Sequence, residues 1–314
     1  MVIYRVQQMK LKSFDWIKLG RVCKPRQNSY WTKTYCMLPT PIKIKKDLFR
    51  VFYSSRNKHN KSFITYTDIE LKKNIKIIGH AKKPCLTPGE LGCFDDNGVT
   101  PSSVIKIKNK IYLYYVGWKP RSTTRYSLMG GIAISRNNGK SFRRHSRSSM
   151  FTSTDKEPFQ IMTAPFVFKD KKKWKVWYVS CEKWKNSDYP IYNIKYGISK
   201  NGLEWTQTGK VSIKLKKKER AVARPTVIKK NGLFHMWYSK ETKVGTYTLG
   251  YAISKNGINW IRKDNVVGIF KSKKGWDSEM ITYPSVIYHN KKYFMFYNGN
   301  SYGKYGFGIA VSKK

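Results

Sequence analysis

The sequence predicts an all-β fold, a five-bladed β-propeller that is closed when its N-terminal strand completes the last blade. Three observations lead to this prediction. A pattern of about sixty residues recurs along the chain, each copy carries the signature of four strands, and the last copy lacks a fourth strand that the N-terminus can supply. The repeat accounts for the whole chain, so we expect residues 1–314 to form a single propeller domain.

The first two strands of each copy are predicted to form a hairpin that runs from a proline to a tyrosine. Residues 284–297 (PSVIYHNKKYFMFY) show the pattern, with an apolar strand, a polar turn and an aromatic strand. Polar turn residues between two such runs favour a tight hairpin. The closing tyrosines are 62, 63, 60 and 59 residues apart, at Tyr53, Tyr115, Tyr178, Tyr238 and Tyr297.

A second signature follows the hairpin and predicts the third and fourth strands. Residues 249–260 (LGYAISKNGINW) are a short apolar run, an Asn-Gly pair and a tryptophan, and residues 194–205 repeat this order. An Asn-Gly pair favours a turn with positive φ between two strands. Each copy therefore contains four strands, as a propeller blade does.

The two ends of the chain are predicted to share one blade. The last copy ends with FGIAVSKK at Lys314, where its turn should begin, so its fourth strand is missing. Residues 14–22 (FDWIKLGRV) align with residues 203–211 (LEWTQTGKV), the fourth strand of the third blade. An N-terminal strand at this position would leave no unpaired sheet edge at the seam.

The charge of the chain leaves two interpretations open. There are 63 Lys and Arg residues against 18 Asp and Glu residues, a formal net charge of +45. Such a charge favours an anionic partner: an acidic glycan, a nucleotide sugar, a nucleic acid or a membrane surface. Alternatively, lysines scattered over exposed turns form no single patch. The charge is the only feature that favours a nucleic acid as partner, so we do not expect specific nucleic-acid binding.

Several other classes of protein are not expected. The five cysteines are an odd number without CxxC spacing, and the five histidines show no HxH or HExxH pattern, so we predict no disulfide framework and no metal site. No nucleotide-binding fingerprint is present, and we predict no cofactor. No apolar stretch is long enough to span a membrane, and the N-terminus lacks the core of a signal peptide, so we expect a soluble cytoplasmic protein.

Candidate site residues are polar side chains that enter the innermost strands, because these strands converge at one end of a propeller channel. Arg224 and Tyr283 directly precede the proline of their copy. The residues five positions before each proline are all polar, namely Thr34, Asp96, Gln160, Arg220 and Glu279.

Acidic residues are scarce, which makes their placement informative. Two carboxylates from different blades that face one pocket could supply glycoside hydrolysis, in which one carboxyl group donates a proton and a second attacks or activates water. We predict Asp96, Glu182 and Glu279 as catalytic. The predicted substrate-binding residues are Asp95, Gln160, Arg220, Arg224, Asp277 and Tyr283. An arginine near a carboxylate favours its ionised form, or binds a ligand carboxylate or phosphate through a bidentate fork. Turn capping, ion pairs between blades, solvated surface charge and bracing of neighbouring blades remain alternatives for these side chains.

These motifs resemble the five-bladed glycosidases of glycoside hydrolase families 43, 32 and 68 and the mannoside phosphorylases and hydrolases of family 130. The resemblance covers essentially the whole chain and rests on residues 284–299, on residues 224–239 and on the SKNGxxW turns. It implies a central carbohydrate pocket whose acidic residues come from the inner strands of different blades. By this resemblance Asp96 stands where an acidic residue precedes an inner strand, and Glu182 matches the general acid.

Blade one departs from this pattern, since residues 30–46 contain no acidic residue where families 43 and 32 have one. Either Asp277 or Glu279 replaces it, or the protein binds without cleaving. We therefore predict a carbohydrate-active enzyme, a glycoside hydrolase or phosphorylase, acting on a glycan whose anionic character stays open. The alternative is a non-catalytic propeller that binds an anionic glycan or a partner in surface-polysaccharide metabolism.

Overall fold

A computed structural model describes residues 12–243 and 245–313 of the chain. Its regular secondary structure is almost entirely β-strand, as the sequence predicts, because aromatic and β-branched residues alternate along short runs bounded by Gly, Asn and Lys turns. The helical elements are a 3₁₀ turn, Asp264–Val266, and the four-residue helix α1, Asn300–Gly303.

The strands fall into five groups by their antiparallel pairing. In chain order they are β1 (Ile17–Cys23), β2 (Thr34–Lys43), β3 (Leu48–Arg56), β4 (Ser62–Leu71), β5 (Ile75–His80), β6 (Gly98–Ile107), β7 (Lys110–Pro120), β8 (Tyr126–Ser135), β9 (Arg143–Arg144), β10 (Ile161–Asp170), β11 (Lys173–Trp184), β12 (Pro190–Ser199), β13 (Thr206–Ile213), β14 (Ala221–Lys230), β15 (Leu233–Glu241), β16 (Thr248–Ser254), β17 (Ile261–Arg262), β18 (Thr282–His289), β19 (Lys292–Asn298) and β20 (Phe307–Ser312). Groups one to four are β2–β5, β6–β9, β10–β13 and β14–β17, each a run of neighbouring antiparallel strands.

The fifth group contains both ends of the described chain. Strands β18, β19 and β20 pair in order, and β1 pairs with β20, with Ile17 opposite Val311 and Cys23 opposite Phe307. The predicted N-terminal segment therefore does lie beside the last strand. Its Trp16 indole is buried and donates a hydrogen bond to the Val267 carbonyl at 2.9 Å.

The first strands of the five groups lie next to one another. Strand β6 contacts β2 and β10, β14 contacts β10 and β18, and β18 contacts β2. Side chains of one first strand also satisfy backbone donors of the next, as buried polar groups require. The Val167 amide donates to the Ser103 hydroxyl at 3.1 Å, and the Val286 amide donates to the Thr226 hydroxyl at 3.2 Å.

The turns between third and fourth strands pack against the preceding group. Gly257, in the predicted Asn-Gly turn, has a φ of 74°, and its carbonyl accepts a 2.8 Å hydrogen bond from the buried indole of Trp177. A Cβ at this glycine would lie 3.1 Å from that ring. The Asn-Gly signature is therefore required both by the backbone conformation and by contact between groups.

Four closing tyrosines are anchored by a buried ionic triad. Each hydroxyl donates to a carboxylate, and a Lys or Arg from the third or fourth strand of the same group pairs with that carboxylate. This geometry satisfies the phenol and compensates the buried charge. The triads are Tyr115–Asp95–Arg144, Tyr178–Glu157–Lys195, Tyr238–Asp264–Arg262 and Tyr297–Asp277–Lys18. Several of the scarce acidic residues therefore have a structural role, because each holds together strands of one group.

Within the two described ranges, no helix has the length and apolar character needed to cross a membrane.

Candidate functional site

The first strands are distorted at the prolines that mark the repeat. Their pairing with the second strand is irregular at this point in all five groups. The residue before the proline has a positive φ in four of them: 52° at Leu38, 46° at Ala164, 51° at Arg224 and 54° at Tyr283. This conformation is costly for a residue with a side chain, and such strain clusters at functional sites. A bulge also re-aims side chains, so these positions differ from the rest of the strand.

Arg224 reaches from one first strand to a non-neighbouring one. Its side chain is fully buried, and Nη2 donates to the Thr40 hydroxyl at 3.0 Å and to the Pro39 carbonyl at 3.4 Å, both on β2. Among the described residues, Nε and Nη1 have no hydrogen-bond partner and no carboxylate pairs with the guanidinium. Burial lowers the pKa of Arg224 to about 9, so the group is still charged at neutral pH. A buried cation with two unused donors is suited to bind an acceptor or an anion.

Tyrosines and arginines from all five groups gather at the same end of the molecule. Tyr247, Tyr283 and Tyr302 have ring centroids 6.1–6.5 Å apart, and the Tyr192 and Tyr247 hydroxyls are 2.8 Å apart. We call this set the tyrosine–arginine cluster; its members are Tyr126, Tyr192, Tyr247, Tyr283, Tyr302, Arg56, Arg220 and Arg224. Aromatic faces tipped with hydroxyls, beside guanidinium groups, suit a hydroxyl-rich ligand with a negative charge.

The cluster is protonated and positively charged at neutral pH. Burial raises the pKa of Tyr283 and of Tyr247 well above the ordinary phenol value, and the neighbouring phenols raise both further. Both hydroxyls therefore keep their protons at neutral pH. Arg56 lies 4.4 Å from the ring centre of Tyr35, and burial lowers the pKa of this guanidinium, whose Nε has no partner among the described atoms.

Arg220 is held by an acidic residue that the sequence analysis missed. Its Nη2 pairs with the fully buried carboxylate of Glu241, and Nη1 donates to the Pro190 carbonyl at 2.8 Å. The other oxygen of Glu241 accepts from the Gly245 amide at 2.8 Å. Glu241 follows Tyr238 by three residues, much as Glu182 follows Tyr178 by four, so comparing the copies would have revealed it.

Two of the predicted acids lie close in sequence to residues that pack with the cluster. Glu182 is exposed and its carboxylate accepts from the Asn193 side chain, next to Tyr192 in the sequence. Two positions after Glu182, the ring of Trp184 packs against Tyr126 at 5.9 Å.

Glu279 is also exposed, and its neighbour Met280 is buried in one cluster with Tyr247. Its backbone amide donates to the Asn300 side chain at 2.8 Å.

The other predicted residues have different surroundings. Asp96 pairs with Lys119 at 2.9 Å and accepts from the Gly92 amide at 2.9 Å. Gln160 is exposed. Asp95 and Asp277 belong to the buried triads described above. In residues 12–243 and 245–313, no hydrogen bond or ion pair joins Asp96, Glu182 and Glu279 to one another. The catalytic and binding roles of all these residues stay predictions.

Most of the tyrosines in the cluster were not anticipated from the sequence. Tyr192 and Tyr247 both stand seven residues before the serine that ends the third strand, so the repeat contained a signal for them. Tyr302 carried none, since it lies in α1 with a φ of 57° beside Ser301 at 52°. Within the described part of the chain, no three His, Cys, Asp or Glu side chains are arranged to hold a metal ion.

Comparison with known proteins agrees with this architecture. Two uncharacterised proteins of Mycobacterium tuberculosis, from strains CDC 1551 / Oshkosh and ATCC 25618 / H37Rv, are each 33% identical over 298 residues, covering 94% of this chain and 98% of the relative. The chain belongs to the same family as these two proteins. Residues 182–314 match the profile of glycoside hydrolase family 130, described as beta-1,4-mannooligosaccharide phosphorylase.

Solved structures extend the likeness over the whole fold. One solved structure has a TM-score of 0.72 at 14% identity, with 96% of this chain and 95% of that chain covered. It is described as a member of the family 130 of mannoside phosphorylases, which contains glycoside hydrolases that target beta-1,2 mannosidic linkages in Candida mannan. A thermostable family-43 glycoside hydrolase has a TM-score of 0.65 at 17% identity, with 90% and 91% covered. This chain therefore shares the fold of these propeller glycosidases. At these identities the structural likeness shows the fold alone, and the reaction must be argued from the site.

Proposed function

We propose that this protein is a glycoside hydrolase or glycoside phosphorylase whose sugar pocket is the tyrosine–arginine cluster. The carbohydrate-active class is supported by the match to family 130 and by the glycoside hydrolases of similar fold. The observation that carries the pocket is the convergence of side chains from all five groups on one end of the first strands.

The architecture that we propose around this pocket is a single propeller of five blades, spanning residues 1–314. The circuit of contacts from β2 through β6, β10, β14 and β18 back to β2 supports five blades. The pairing of β1 with β20 supports closure by the N-terminal strand. A ring of this kind would place the first strands around a common axis, with the cluster at one mouth.

Glu182 and Glu279 are the carboxylates that we favour for catalysis. Both are exposed and close in sequence to residues that pack with the cluster, neither is in an ion pair among the described residues, and they come from different groups. A pair of carboxyl groups that flanks a sugar can divide the work of proton donor and of nucleophile or base. Asp96 is a third candidate, but its pairing with Lys119 holds its charge in a turn.

Arg224 supports the proposal that the pocket binds an anionic group of the substrate. Its unpaired Nε and Nη1 and its uncompensated charge would attract a phosphate or a carboxylate through charge-assisted hydrogen bonds. A phosphate bound there would serve phosphorolysis, whereas a carboxylate there would belong to the glycan. Both fit a carbohydrate-active enzyme, and they differ in the product released.

The test is release of sugar from a panel of mannosides and acidic glycans, with and without phosphate. We expect turnover by the wild type and a loss of about 10²–10⁴-fold in kcat for Glu182→Gln and Glu279→Gln. Asp188→Asn is a matched control, because Asp188 is an exposed acid in the loop after Glu182. Formation of a sugar phosphate would assign phosphorolysis.

No turnover on any glycan by a folded protein would overturn the enzymatic proposal. If the carboxamide variants then bound a glycan as tightly as the wild type, the protein would be a non-catalytic binding propeller.

A further inference from the structure

A cationic groove runs along the outer edge of the second group, away from the tyrosine–arginine cluster. Two adjoining cavities of about 630 and 610 Å³ share the segment from Phe142 to His145. Each volume falls in the range of ligand pockets. We call the combined surface the basic groove, after its cationic lining residues Lys110, Arg136, Arg143, Arg144, His145 and Arg147.

The charge of the basic groove is only partly compensated. Arg144 pairs with Asp95, and Arg147 pairs with Glu90 at 3.1 Å. Among the residues that the structure describes, Glu90 is the only acid that lines either cavity. Arg136 and Arg143 are exposed and have no acidic partner among the described residues. Cations that face one cleft add their fields and concentrate anions there.

The repeat itself does not require these unpaired cations. Arg262 occupies the fourth strand of group four, as Arg144 does in group two, and it is bound by both Glu219 and Asp264. In group three, Lys195 pairs with Glu157. Groups three and four therefore build such a triad with no unpaired arginine beside it among the described residues.

The floor of the basic groove is apolar. The half-buried ring of Phe142, directly before β9, packs against Phe52 at 5.3 Å. Ile134 lies beside it. A ring face flanked by guanidinium forks matches a chain of sugar rings that carries carboxylates or sulfates.

We propose that the basic groove is a second carbohydrate-binding site, which holds an acidic polysaccharide chain through Arg136 and Arg143. The choice of a glycan over another polyanion rests on the proposed function, because a polymer held at two sites of one enzyme gains effective concentration at the pocket. The groove lies at fourth strands and the pocket at first strands, so the two sites can be tested separately.

The experiment measures binding of polygalacturonate, a uronate polymer, over a series of salt concentrations. We compare Arg136→Glu/Arg143→Glu with Lys172→Glu/Lys217→Glu, which makes the same charge change at exposed turn lysines that have no ionic partner among the described residues. The arginine variant should bind at least about tenfold more weakly, with a shallower salt dependence, and the lysine variant should stay near the wild type. Equal thermal midpoints would establish that all three proteins are folded.

Equal weakening in both variants would overturn the proposal, because diffuse charge would then explain the binding. Tighter binding of single-stranded DNA at the same ionic strength, lost in the arginine variant, would replace the glycan with a nucleic acid. Turnover of a short glycan should be unchanged in the arginine variant. Absence of turnover in the wild type would contradict the proposed function and leave the result for the groove standing.

Discussion

Replacing Trp16 tests whether the N-terminal segment is an integral part of the fold. The side chain is 8% exposed, its ring lies 5.7 Å from Phe14 and 6.4 Å from Trp237, and its indole N–H bonds to the Val267 carbonyl. These contacts join residues at the start of the chain to the fourth group and to the loop that follows it. Trp16→Ala should therefore lower the free energy of unfolding.

The magnitude follows from the buried surface. A tryptophan buries about 200 Å² of side chain, worth about 5 kcal/mol at 25 cal/mol per Å². The alanine recovers part of that area, while the carbonyl of Val267 loses its donor, at about 1 kcal/mol. We expect a loss of about 4 kcal/mol in the free energy of unfolding, a large share of the 5–15 kcal/mol typical of a domain.

The assay is urea unfolding followed by tryptophan fluorescence and by circular dichroism. Leu19→Ala is the control: this side chain is on β1 itself but is 43% exposed, so its removal should change stability by about 0.5 kcal/mol or less. A decrease below about 1 kcal/mol in the free energy of unfolding for Trp16→Ala, or equal decreases in the two variants, would refute the argument that the Trp16 ring holds β1 against the sheet.

Two further predictions concern buried ionisable groups. Burial opposes the charge of Asp264, but its hydrogen bond from Tyr238 and the charge of Arg262 prevail and lower its pKa. The stability that this carboxylate contributes is therefore fully present above its unfolded pKa of about 3.9 and is lost as the pH falls through its lower folded pKa. Asp264→Asn should lower the free energy of unfolding by about 3 kcal/mol at pH 7 and should make stability depend less on pH in the acid range. Burial raises the pKa of Cys85 to about 12, and Cys93 is the one half-exposed thiol of the five. Ellman's reagent should therefore react with about one thiol in the native protein at pH 8 and with five after denaturation. A fast reaction of several thiols in the native protein would contradict this burial.

Local patterns were readable from the sequence because each is repeated and each acts over short distances. The closing tyrosines, the Asn-Gly turns and the missing fourth strand after Phe307 all depend on strand alternation and on turn chemistry. The same repetition indicated that residues around Trp16 would pair with the last strand. Arg224 and Tyr283 were singled out in the sequence because they precede a proline, but their positive φ and the irregular pairing of each first strand were not visible there.

The partners of each charged side chain are determined only by the tertiary structure. Asp95 and Asp96 are adjacent in the chain, yet one is buried in a triad with Tyr115 and the other binds Lys119 in a turn. Tyr302 and Arg224 are 78 positions apart and meet through Tyr283. Sequence spacing determines which face of a strand a residue occupies, whereas the packing of five groups around their first strands determines which residues meet, because those contacts are made between segments that no local pattern connects.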